Sequence, residues 1–135
     1  MASRIIAVRV EQLESARARL ESGAGVLVVG SRGSGRTSFA HAVLDELSES
    51  VRGRVWFGDD IERMEPERGE KLAAAIVSGT LVPLLTSERR AAVPAPLARL
   101  VDGATVVRLL LEPLTSHELL RVTETVLGAP LDLRA

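Results

Sequence analysis

Apolar positions change their period several times along the chain. Over residues 10–22, VEQLESARARLES, helical spacing is kept by Val10, Leu13, Ala16 or Arg17, and Leu20, and Gly23 and Gly25 close the pattern. The next apolar residues are contiguous, Val26-Leu27-Val28-Val29, which suits a strand buried on both faces. A glycine-rich turn follows. TSFAHAVLDELSE then returns to helical spacing, with Phe39, Val43, Leu44 and Leu47 on one face. After Gly53, RVWFGDD reads as a short strand ending in two acids. PERGEKLAAAIVSG reads as a helix with Pro66 near its start and Gly79 as its stop. TLVPLLTS is a third strand, in which Pro83 removes one backbone donor. Pro94 to Val101 form a short helix, and ATVVRLLLEPL is a fourth strand. SHELLRVTETVLG is a last helix, with Ser116 as N-cap and Gly128 closing it.

Four strands, about 26–30, 54–58, 80–86 and 104–111, thus alternate with helices. That alternation predicts an α/β fold with a mainly parallel sheet. No repeat, low-complexity tract or linker interrupts it, so the 135 residues read as one domain.

Composition narrows the classes. With 46% hydrophobic and 26% charged residues a packed core is expected, and disorder is not. No apolar run approaches the ~20 residues needed to span a bilayer, and MASRIIAVRVEQ lacks a signal peptide's long apolar core. Cysteine is absent, which excludes disulfides, a thiol nucleophile and thiolate metal sites. A soluble cytoplasmic protein is the expectation. Net charge is −1 with no basic block, so nothing forms an electrostatic footprint for DNA or RNA. Among the 17 basic residues the only lysine is Lys71, an arginine bias that bears on the next motif.

That motif is GSRGSGRTS, Gly30 to Ser38, between the first strand and its helix. Gly-x-x-x-x-Gly-Lys-Ser/Thr at such a junction is a phosphate cradle. It needs backbone N–H groups converging on one point and glycines that let the chain wrap closely. The following helix adds its dipole and free amides. Gly30, Gly33 and Gly35 supply the turns, and Thr37 would place a hydroxyl on Mg²⁺. The lysine position holds Arg36. Arginine keeps the charge but is planar, forked and bulkier, so binding suffers moderately and hydrolysis more. At the end of the second strand Asp59 is the candidate to help hold Mg²⁺, and Asp60, or less readily Glu62, to orient an attacking water. Gly58 interrupts the apolar run before them, and a solvated acidic turn is the plain alternative.

Several segments together resemble the nucleotide-binding domain of STAND/AAA-type ATPases, as in large LuxR-type transcriptional regulators. LESGAGVLVVGSRGSGRTS is similar to the opening of that domain, VWFGDD to its Mg²⁺-binding strand end, and LVPLLTSERR to its next strand with a Thr-x-Arg sensor. PAPLARLVDGATVVRLLLEPLTSHELLRVTETVLGAPLD is similar to the stretch that follows. The resemblance implies a shortened, three-layer P-loop NTPase-like fold with four strands in the order 54–58, 80–86, 26–30, 104–111 and helices on both faces. It implies ATP or ADP with Mg²⁺ as cofactors. Gly30, Gly33, Ser34, Gly35, Arg36, Thr37 and Ser38 would bind the nucleotide, Thr37 and Asp59 the metal, and Asp60 and Arg89 would be catalytic, Arg89 sensing the γ-phosphate. As partners it implies downstream helical and DNA-binding domains of a larger chain, of which this would be the N-terminal piece, the alternative being a free-standing reduced relative; homo-oligomerisation is an option, and no direct nucleic-acid or membrane contact is expected. Three features depart from the family: Arg36 itself, a sensor one residue longer (Thr86-Ser87-Glu88-Arg89), and a short gap from Thr37 to Asp59 that omits a strand and helix.

Two readings therefore stay open. One is an ATP-binding regulatory switch with weak or no hydrolysis. The other is a degenerate scaffold that serves protein interaction without nucleotide. A small kinase would need a lid and an acceptor site, and the sequence shows neither. His41 and His117 have no partner at metal-binding spacing, Arg89 and Arg90 read equally as phosphate sensors or as a solvated strand end, and Trp56 reads as core.

Overall fold

The computed structural model describes residues 2–31, 33–89 and 92–112, with side chains from Arg9 onward. The helix expected over 116–128 and the residues His117 and Arg90 lie outside this range. The described elements are α1 (Ala2–Glu21), β1 (Gly25–Gly30), α2 (Arg36–Glu46), α3 (Glu49–Arg52), β2 (Val55–Gly58), a 3₁₀ turn (Ile61–Arg63), α4 (Pro66–Val77), β3 (Val82–Ser87), α5 (Ala95–Asp102) and β4 (Val106–Leu111). The four strands form one sheet in the order β2-β3-β1-β4, as expected, and every pairing is parallel.

β1 is central, and all six of its residues are buried. Its side chains alternate between two cores, as the pleat requires. Val26 and Val28 join Leu13, Ala16 and Leu20 of α1 and Phe39, Ala40 and Val43 of α2. Leu27 and Val29 join Leu72 and Ile76 of α4 and Leu97 of α5. Helices therefore cover both faces, and a continuous apolar run rather than an alternating one is what such a strand needs. Ala16, 1% exposed, is the residue that faces the core at the position the periodicity left open between Ala16 and Arg17.

α1 starts well before residue 10, because no glycine or proline interrupts positions 2–9. Arg9 thus falls inside the helix. Between α2 and β2 there is only the short α3, so the extra strand and helix of the resembling family are absent from this gap. The Glu21 carboxylate at the end of α1 accepts from the Ser48 amide (2.9 Å) and hydroxyl (3.0 Å) and fixes the start of α3.

Two residues that looked awkward in strands have packing reasons. Pro83 lies in β3, an inner strand. The Val82 amide donates to Arg54 on the β2 side (3.0 Å), so strand alternation turns the Pro83 nitrogen toward β1. The β1 ladder begins only one residue later, at Val26↔Leu84. A Cβ on Gly25 would meet the Pro83 ring at 2.5 Å, so glycine makes room for it. At Gly58 a Cβ would collide with the Trp56 ring. The glycine that breaks the apolar run of β2 is what lets this half-buried ring lie back along the strand.

Candidate functional site

At the carboxyl ends of β1, β2 and β3 the chain collects the residues singled out in the sequence. Leaving β1, it turns through Gly33 (φ 84°) and Gly35 (φ 79°). These left-handed conformations cost an L-residue roughly 1–2 kcal/mol, so glycine is favoured at both. α2 then begins at Arg36 with no side-chain cap. The first amide to close a turn is that of Phe39, onto the Gly35 carbonyl (2.8 Å). Among the described residues no acceptor meets the amides of Gly35, Arg36, Thr37 and Ser38. Helix starts carry orphan donors by construction, and the usual remedy is a Ser, Thr, Asp or Asn side chain; here none is supplied.

The loop itself is held from below. Ser34 is fully buried, its side chain lying against Gly30 where a Cβ would collide with it. Its amide donates to the Ser31 carbonyl (3.0 Å), and its carbonyl accepts from Arg9 Nη2 (2.9 Å). The hydroxyl has no partner among the described residues. Ser34, expected to contact phosphate, thus has its amide and carbonyl bonded within the protein, where they shape the loop.

Arg36 reaches across the loop. Its Nη1 donates to the Gly30 carbonyl (2.8 Å) and its Nη2 to Asp60 Oδ1 (2.7 Å). Burial opposes the charge, but the hydrogen bond and charge of Asp60, with Glu62 and Asp59 beyond, prevail and hold the guanidinium pKa above its ordinary value. Its Nε is buried and unpartnered among the described residues. A cation in the first turn of a helix opposes the macrodipole; Asp60 offsets that, itself in a left-handed conformation (φ 51°). The residue expected to orient a water is thus engaged in an ion pair.

Thr37 and Asp59, both expected to serve Mg²⁺, lie side by side. Thr37 Oγ1 donates to the Asp59 carboxylate at 3.2 and 3.3 Å. The same carboxylate accepts from the hydroxyl of Thr86, which in turn accepts from the Asp60 amide (2.8 Å). Thr86 is fully buried, and the register that pairs Gly58 with Leu85 sets it beside Asp59. Its hydroxyl uses both a donor and an acceptor function, so it orders both acids. The sequence flagged Thr86 only as the start of a sensor; its bridging role follows from register and not from any spacing along the chain.

Arg89 does not join this group. It is exposed, its carbonyl accepts from Ser87 Oγ (2.8 Å), and its side chain makes no hydrogen bond or ion pair among the described residues. Beyond the acids, an open cleft of about 530 Å³ is lined by Trp56, Asp60, Met64, Arg63 and Arg68, among others.

Hard oxygen ligands suit Mg²⁺, which keeps several waters and binds through one or two protein groups plus phosphate oxygens. The adjacent Thr37 hydroxyl and Asp59 carboxylate fit that requirement. No cluster of three or more His, Cys, Asp or Glu residues able to hold a metal by itself occurs among the described residues. Nor is any described helix long and apolar enough to cross a membrane.

An α/β chain with an all-parallel four-stranded sheet and a glycine-rich turn ahead of an uncapped helix is the class these observations define. A scan against protein-family models and searches of curated proteins and of solved structures return no match to the chain.

Proposed function

We propose that this domain is a P-loop NTPase-like nucleotide switch that binds ATP or ADP with Mg²⁺ and hydrolyses ATP weakly or not at all. The observation that supports it most is the uncapped amide run from Gly35 to Ser38, beside which the Thr37 hydroxyl lies against Asp59. Those amides would receive phosphate oxygens, and the helix dipole favours negative charge there. Thr37 and Asp59 would hold Mg²⁺, which supplies neutralisation of phosphate charge. Thr86 fixes the Asp59 carboxylate through its hydroxyl. Arg36 already gives one N–H to Gly30 and one to Asp60, and Asp60 Oδ1 is held in that pair, so neither side chain is fully available to phosphate or water. Binding without efficient turnover is the behaviour this arrangement favours. By resemblance, the nucleotide state would control packing against downstream helical and DNA-binding domains of a STAND/LuxR-type regulator in the cytoplasm.

One observation favours the second reading, a scaffold that binds no nucleotide: the Arg36 fork is already bonded to Gly30 and Asp60. Calorimetric titration of ATP·Mg²⁺ and ADP into the wild type, Arg36→Lys and Gly35→Glu separates the two. Saturable heat that Gly35→Glu abolishes supports the switch. No heat with either nucleotide, in the wild type and in Arg36→Lys, supports the scaffold.

A further inference from the structure

A trans peptide is planar, and its C=O and the following N–H point in opposite directions. Whatever holds the Ser34 carbonyl therefore also aims the Gly35 amide. The holder is Arg9, in the middle of α1 and only 3% exposed. Its Nη2 carries two hydrogens and uses both: one to the Ser34 carbonyl (2.9 Å), the other to the Glu112 carbonyl just past β4. Burial lowers the Arg9 pKa, and the charge of Glu112 offsets part of that cost. A buried guanidinium bonded to two backbone carbonyls is expensive to keep, and packing alone does not call for it, since an aliphatic side chain would fill that space.

We infer that Arg9 is a positioning residue for the loop: by drawing the Ser34 carbonyl into the interior it locks the Ser34–Gly35 peptide and turns the Gly35 N–H outward, toward the start of α2, where the other amides that no described acceptor meets lie. Gly35 sits at φ 79° with backbone freedom to spare, so its peptide needs an external restraint. Arg9 supplies that restraint from a separate helix and references it to the end of β4. The inference rests on the nucleotide reading only for its consequence, tighter anion binding; the lock itself is a property of the nucleotide-free protein.

The test reads the direction of the Gly35 N–H bond from a crystal structure of the nucleotide-free wild type, and compares its residual dipolar coupling in solution among the wild type, Arg9→Lys and Arg9→Met. In parallel, ADP affinity is measured by calorimetry. The expected result is a wild-type Gly35 N–H directed away from Arg9. Its coupling should change in Arg9→Met while couplings in the sheet stay fixed, ADP should bind about tenfold more weakly in that variant, and Arg9→Lys should recover much of both. A wild-type N–H directed toward Arg9 overturns the inference even if Arg9→Met fails to fold. So does an unchanged Gly35 coupling in a folded Arg9→Met. Couplings that move as expected in a protein that binds no ADP uphold the lock and remove the nucleotide reading instead.

Discussion

α2 and α4 both leave the carboxyl end of a strand in the same sheet, and they begin in opposite ways. α4 starts at Pro66, whose ring carries no N–H, and has Glu67 in its first turn. One orphan donor is thereby deleted, and a carboxylate meets the positive end of the dipole. α5 uses the same device more strongly, with Pro94 at its cap and a second proline, Pro96, in its first turn. α2 has neither proline nor acid in its first turn; it has two left-handed glycines before it and an arginine as its first residue. Two helix starts reduce their own need for an acceptor and the third leaves that need open. The difference lies in backbone donors and first-turn charge, since none of the three starts has a side-chain cap.

The largest break in that contrast should come from Gly35→Glu. An L-residue at φ 79° is strained, and its carboxylate would stand where phosphate is expected. ADP affinity should fall at least about 100-fold, or ~2.7 kcal/mol, with the far-UV circular dichroism unchanged. Asp59→Asn comes next. Thr37 and Thr86 keep a partner, so the fold should hold, while the gain in ATP affinity on adding Mg²⁺ should shrink about tenfold. Arg36→Lys should act less and in the other direction. A lysine cannot span Gly30 and Asp60 with a planar fork. ATP affinity should rise about threefold, and loss of a part-buried ion pair should lower stability by no more than about 1 kcal/mol, read by urea unfolding. Pro66→Ala is the smallest: about 0.4–1 kcal/mol of stability lost through the unfolded chain, and nucleotide affinity unaltered.

Much of the frame was legible because it rests on local periodicity. The contiguous run at Val26 to Val29 announced a strand covered on both sides, and the strand order implied by the family resemblance is the one observed. Gly79, at φ 77°, stops α4 as its place after the apolar pattern indicated. The glycine turn ahead of α2 was legible too, and Thr37 and Asp59, assigned to one metal ion from the sequence, are neighbours. What stayed hidden depends on register and on side chains crossing between elements. Thr86 reaches Asp59 only because β3 lies beside β2 at one particular offset. Arg9 was missed because the helix was read from residue 10, and nothing in the pattern of α1 marks an arginine as buried. Gly58 was read as weakening the acidic strand end, whereas the Trp56 ring requires it. Asp60 and Arg36 were given separate roles, and their pairing across 24 positions changes both.

The central claim is that the amides at the start of α2, which no acceptor among the described residues meets, grip an anion. Titrating inorganic pyrophosphate into the ¹⁵N-labelled protein and following backbone amide resonances tests it most directly. The account predicts that Gly35, Arg36, Thr37 and Ser38 shift together along one saturating curve, while the first-turn amides of α4 and α5 stay in place. Resonances at those four positions that remain fixed while any others titrate would contradict it.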